Sequence, residues 1–175
     1  MSDVAGARRG KKDMYANIAL GSVTLSAINT LTFSQLQISV GLFQGVAMLL
    51  HRISWYPYAA NLREIVAATD SLSFALTVSN RVAAIEDATD PSIIACRRLI
   101  GIAAAVGSYE VPFESDFTRL PMGGKLIPAN PLFLAATSGG FGAVATVKAQ
   151  IDFSFVQLGD AEYLELLQAM YPVSV

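Results

Sequence analysis

Ser71-Leu72-Ser73-Phe74-Ala75-Leu76-Thr77-Val78-Ser79 decides the class of fold. Leu72, Phe74, Leu76 and Val78 occupy every second position, with serine, alanine and threonine between them. Successive side chains of a strand point to opposite faces, so this period of two predicts a half-buried strand. Ala143 to Val156 repeats the pattern at greater length. There Val147, Ile151, Phe153 and Phe155 oppose Thr146, Lys148, Gln150, Asp152 and Ser154. In Tyr109 to Phe117 the residues Tyr109, Val111, Phe113, Ser115 and Phe117 alternate with Glu110, Pro112, Glu114 and Asp116. Pro112 marks that strand as an edge or an interrupted one, because proline has no N–H to give to a ladder.

Outward from these, Asn17 to Ser26 and Thr30 to Val40 read as extended. Val46 to Tyr56 reads as a strand mostly buried on both faces, with His51, Arg52 and Trp55 towards its end. Pro131 to Thr137 is a further short strand, followed by the turn signal Ser138-Gly139-Gly140. Seven or eight strands separated by turn residues predict an all-β protein, an antiparallel sandwich or barrel.

Two helices are predicted within this pattern. Asp90 and Pro91 form a start signal, aspartate as N-cap and proline at the first helical position, for a helix running through Ile93 and Leu99 towards Val106. Asp160 opens a C-terminal helix with Leu164, Leu167 and Met170 on its apolar side and Glu162 in the first turn, and Pro172 ends it. Asn61 to Ala68 is a candidate for another short helix.

The 175 residues suffice for one domain with a sizeable core. Charged residues make up 15% of the chain, against about 25% in ordinary soluble domains. Scarce charge fits either a membrane protein or a surface covered by other chains. A spanning helix needs about 20 consecutive apolar residues. Arg97 and Arg98 interrupt Ile93 to Val106, and Gln44, His51 and Arg52 interrupt the region around Val40 to Ile53, so no transmembrane segment is expected. Extensive protein–protein contact is the remaining explanation. Small and hydroxyl residues such as Ser22, Thr24 and Ser26 suit it, since they permit close approach with little loss of entropy.

Charge is unevenly placed. Residues 1–12 hold Arg8, Arg9, Lys11 and Lys12 against the single acid Asp3, whereas the remainder holds eight basic and thirteen acidic residues. Residues 1–13 therefore read as a disordered basic arm and 14–175 as the folded domain. Such an arm binds phosphate through counterion release, without reading sequence.

Little in the chain points to catalysis. Cys96 is alone, which excludes an internal disulfide, and reads as a small packed thiol. His51 is the one histidine and has no nucleophile at a recognisable spacing, so a structural role is expected. Gly123-Gly124-Lys125 lacks the spacer and the Ser/Thr of a phosphate loop. Glu110, Glu114 and Asp116 share one strand face and are weak candidates for a cation, needing further oxygens to complete a cage. No cofactor and no enzyme activity are expected.

A basic arm (Arg8-Arg9-Gly10-Lys11-Lys12), a strand series from Asn17 to Phe155, the segment opened by Asp90-Pro91 and the loop from Leu120 to Pro131 together resemble the single jelly-roll capsid proteins of small icosahedral viruses. The resemblance implies an eight-stranded antiparallel jelly-roll sandwich with one inserted helix and a C-terminal helix. It further implies many copies closing into an icosahedral shell in the virion, with Arg8, Arg9, Lys11 and Lys12 directed to the packaged nucleic acid. The arm is shorter and less basic than in many coat proteins, which leaves room for a second capsid protein or an internal membrane beneath the shell. A soluble β-sandwich that binds a ligand or carbohydrate through its loops is the second reading.

Overall fold

The computed structural model describes residues 17–38, 45–63, 65, 67, 69–87, 89–101, 112–128 and 131–170. Strand β1 (Asn17–Thr24) is followed by β2 (Thr32–Gln35), β3 (Val46–Pro57), helix α1 (Ala59–Leu62), β4 (Ser71–Thr77) and β5 (Ile93–Ile100). Then come β6 (Phe113–Asp116), a 3-10 turn (Pro121–Gly123), β7 (Lys125–Pro128), β8 (Phe133–Gly139), β9 (Thr146–Gln157) and helix α2 (Asp160–Met170).

The strands pair into two antiparallel sheets, of order β1-β9-β3-β6 and β2-β8-β4-β5. β6 pairs with Arg52–Trp55 of β3 and β7 with Ala47–Leu50, so the two share one sheet position. Eight strand positions in two interleaved sheets make the jelly roll. The fold class is the one expected; β4 and β9 lie where alternation places them, and β1, β3 and β8 overlap the other stretches read as strands.

Between the sheets the inward residues interlock. Met48, Leu50, Ile53 and Trp55 of β3 and Val147, Ile151 and Phe153 of β9 face Leu72, Phe74 and Leu76 of β4 and Leu134 of β8. Trp55 and Phe74 join the two layers, their ring centroids 5.1 Å apart and tilted. The buried Trp55 indole N–H donates to Ser115 Oγ at 3.4 Å, so the ring carries its one polar group into the core with a partner.

Four expectations are corrected. The segment after Asp90-Pro91 is strand β5, not the inserted helix; the inserted helix is α1, between β3 and β4. Asp90 Oδ1 accepts from Ser92 N–H at 2.9 Å and Ser92 O–H at 2.6 Å, which closes a turn instead of capping a helix. α1 starts earlier and is shorter than the Asn61 to Ala68 candidate. Asn61 pins it: Nδ2 donates to the Val144 carbonyl at 3.2 Å, and Oδ1 accepts from Thr146 N–H at 3.0 Å. Within the Leu120–Pro131 loop lies strand β7.

The fourth correction concerns β4, which is buried on both faces. Its second face meets a separate apolar cluster of Ala75, Ala135, Ile93, Val82 and Ile85, with Cys96 partly buried against it. The segment carrying Val82 and Ile85 thus clothes the outside of the second sheet.

α2 lies where expected, and Gly159 N–H donates to Glu162 Oε2 at 3.0 Å at its start. Leu166 and Met170 hold it to the core, while Leu164, expected on the packed side, is 58% exposed. Among the described residues no helix is long and apolar enough to cross a membrane.

Candidate interface on the bare face of the first sheet

The outer face of the first sheet is closed over Ala47, Leu49, Ser154 and Val156, which are buried, and open beyond them. Strand register sets its outward residues in rows. Ile18, Asp152, Arg52 and Asp116 lie side by side across β1, β9, β3 and β6. Leu20, Gln150, Ser54 and Glu114 make the next row, and Ser22, Lys148 and Tyr56 a third. The face is charged at its centre and apolar at the β1 margin, where Ile18 is 63% and Leu20 77% exposed.

Arg52 organises the centre. Its Nε and Nη2 both reach Asp152 Oδ2, at 2.9 and 2.8 Å, and its Nη1 lies 3.7 Å from Glu114 Oε1. The hydrogen bond to Asp152, then the charges of Asp152 and Glu114, hold the guanidinium above its ordinary range. Asp152 Oδ1 accepts from the Gln150 amide at 3.1 Å, so both carboxylate oxygens are occupied. With Arg52 and Glu114 each about half exposed, that pair is worth no more than about 1 kcal/mol. Its effect is to fix geometry.

Asp116 turns the other way. Its Oδ1 accepts from Thr118 O–H at 2.7 Å and Thr118 N–H at 2.9 Å, and these bonds hold its carboxyl below the usual range. A depressed carboxyl stabilises the fold above the unfolded value, near pH 4, and loses that contribution as pH falls through its folded value. An NMR titration of Asp116 is expected to show a midpoint below that of an unstructured aspartate, and Thr118→Val to move it upward. An unchanged midpoint in the variant would remove Thr118 as the cause.

His51 sits at a break in register between β3 and β9. Its Nδ1 is 2.8 Å from the Gly123 carbonyl, which only accepts, so Nδ1 carries hydrogen. Nε2, 2.9 Å from Ser154 Oγ, accepts from that hydroxyl in the neutral ring. A serine–histidine contact spanning 103 residues had no sequence signal. Ser154 is 2% exposed, too enclosed to reach a carbonyl substrate, and the histidine is oriented by a backbone carbonyl. The pair ties β3 to β9 and to the 3-10 turn, the structural role expected of His51.

Ile18, His51, Thr118 and the Arg52 cluster bound an open depression of about 550 Å³. The polar groups named above are directed at one another across it. Of the weak cation candidates, Glu114 and Asp116 are both exposed and bonded elsewhere, and Glu110 lies outside the described residues. Among the described residues no group of three or more His, Cys, Asp or Glu is arranged to hold a metal ion. Arg8, Arg9, Lys11 and Lys12 also lie outside the described residues. Lys125 is half-buried and donates to the Ile94 carbonyl at 2.9 Å, and burial lowers its pKa.

No family model matches the sequence, and no curated protein matches it. Among solved structures the chain is similar to one of Desmodium yellow mottle tymovirus, at 12% identity, covering 83% of this chain and 89% of that one, with a TM-score of 0.38. At that score the likeness carries no argument, and the architecture is read from the strand pairing alone.

Proposed function

We propose that the protein is a structural, non-enzymatic subunit of a virus capsid, assembling in many copies around a nucleic-acid genome in the virion. The observation that carries the reading is the jelly-roll strand order in both sheets, an architecture used by viral shell domains. Because lectins share that architecture, the choice between shell and binding module depends on the surface. Charge is scarce, and a basic segment precedes an acidic body. The depression beside Arg52 turns its hydrogen-bonding groups inward upon themselves, which disfavours ligand binding there.

Arg8, Arg9, Lys11 and Lys12 are assigned to the genome. Negative-stain electron microscopy of the full chain is the direct test: round particles of uniform size are expected, and a species monomeric at every concentration would sink the reading. Deleting residues 1–12 removes four cationic groups. It is expected to flatten the slope of log affinity against log salt by about 3 for single-stranded nucleic acid, with the fold intact by circular dichroism. An unchanged slope would strip the segment of its role.

A further inference from the structure

The segment from β6 through the 3-10 turn to β7, Phe113–Pro128, is joined to the first sheet by two separate four-residue ladders on β3. Pro112 precedes it, Pro121 lies in its turn and Pro128 ends it, and none of the three has an N–H to give. In the turn Met122 and Gly123 both take positive φ, 69° and 75°, and Met122 lacks the freedom of glycine there. Between the two ladders His51 holds the segment twice. Its carbonyl accepts from Phe117 N–H at 2.9 Å, and its Nδ1 donates to the Gly123 carbonyl at 2.8 Å. α2 rests against β7.

Towards the second sheet the hold is of another kind. Among the described residues no ladder joins β6 or β7 to β5. Phe113 meets Phe74 across the core, and two cations bridge the margin. Lys125 Nζ of β7 donates to the Ile94 carbonyl at 2.9 Å, and Arg97 Nη2 of β5 donates to the Glu114 carbonyl of β6. Ile94 is the extra residue where β5 shifts register against β4, so the lysine serves a bulge. At the opposite margin the layers touch directly: a β-carbon on Gly21 of β1 would stand 2.2 Å from Leu36 Cδ2, next to β2. Beneath the bridged margin lies Trp55, 1% exposed, whose indole N–H donates to Ser115 of β6.

We propose that Phe113–Pro128 is a flap, latched to the second sheet by Lys125 and Arg97, that opens as a unit without global unfolding and uncovers Trp55. Segments held by short ladders and few buried contacts open ahead of the rest of a domain. Opening turns Trp55, Phe113 and Phe117 towards solvent, so the flap is where the chain changes its apolar surface while β9 stays paired on both sides. The proposal goes beyond the capsid reading and holds for the free chain, with or without particles.

Native-state hydrogen exchange of the full chain, followed by NMR, tests it. The single tryptophan gives a single indole N–H signal, which reports on the flap through Ser115. In the wild type the β6 and β7 ladder amides and this indole are expected to be at least about tenfold less protected than the β3–β9 ladder, and to depend little on low urea. Arg97→Met and Lys125→Met each remove one bridge while keeping an apolar stem. Each is expected to lower protection in the flap by about a further tenfold and to leave the β9 amides unchanged. Arg97 is exposed, so its variant decides the matter even where Lys125→Met fails to fold. Flap amides and indole exchanging at the β9 rate, with the same urea dependence, overturn the proposal. So does flap protection that Arg97→Met leaves unchanged, or that falls in step with β9.

Discussion

Phe74→Ala lowers the free energy of unfolding by about 3–5 kcal/mol, a large part of the roughly 5–15 kcal/mol available to a domain of this kind. Phe74 is fully buried, with its ring between Trp55 at 5.1 Å and Phe113 at 6.2 Å. Those neighbours belong to β3 and β6 of the opposite sheet, so the ring joins the two layers. Loss of a large side chain is damaging in proportion to how little its surroundings can close in. β4 is held between β5 and β8 and covered on both faces, which leaves it no direction in which to collapse. The chain's single tryptophan is the neighbour, so urea unfolding followed by its fluorescence reads the change directly. A loss below about 1.5 kcal/mol would mean that the centre repacks, contrary to the close packing described.

The second large effect is expected at Gly101. A β-carbon there would stand 2.0 Å from the Ala67 carbonyl oxygen and 2.9 Å from its carbon, both backbone atoms. Gly101 N–H donates to the Asp70 carbonyl at 2.9 Å, and Asp70 Oδ2 accepts from Ala67 N–H at 2.6 Å. The end of β5 is thereby bound to the turn ahead of β4. Gly101→Ala must move one backbone segment from the other and break that bond, with an expected loss of about 3 kcal/mol. Gly123→Ala is the comparison. Gly123 has a positive φ of 75° but open space around it, so only the conformational strain of about 1 kcal/mol applies. Equal losses in the two variants would show that the backbone near Ala67 yields freely.

Alternation revealed strands wherever it was long, as at β4 and β9. β5 escaped because Asp90-Pro91 has two uses. An aspartate oxygen that accepts a backbone N–H two residues on serves a turn as well as a helix N-terminus. Pairing with β4 then decided the matter for Ile93–Ile100, and such pairing is not written in the segment itself. β7 was too short to show a period. The serines and threonine of β4 read as a wet face because burial beneath the segment of Val82 and Ile85, which follows the strand, leaves no trace in the alternation itself.

The candidate interface was legible only in fragments. Arg52 and Asp152 meet across 100 residues, and nothing short of the β3–β9 register brings them together. Exposure of Ile18 and Leu20 likewise depends on nothing among the described residues covering that part of the sheet.

The clothing of the second sheet and the open part of the first give the protein two sides with different freedom to diverge. Val82 and Ile85 belong to a cluster apart from the one that joins the sheets, so the dressed side can acquire a new surface without reaching the contact between layers. On the open side each outward residue alternates with one that holds the sandwich shut. A lineage of such proteins would therefore vary fastest on the dressed side and more slowly on the open one.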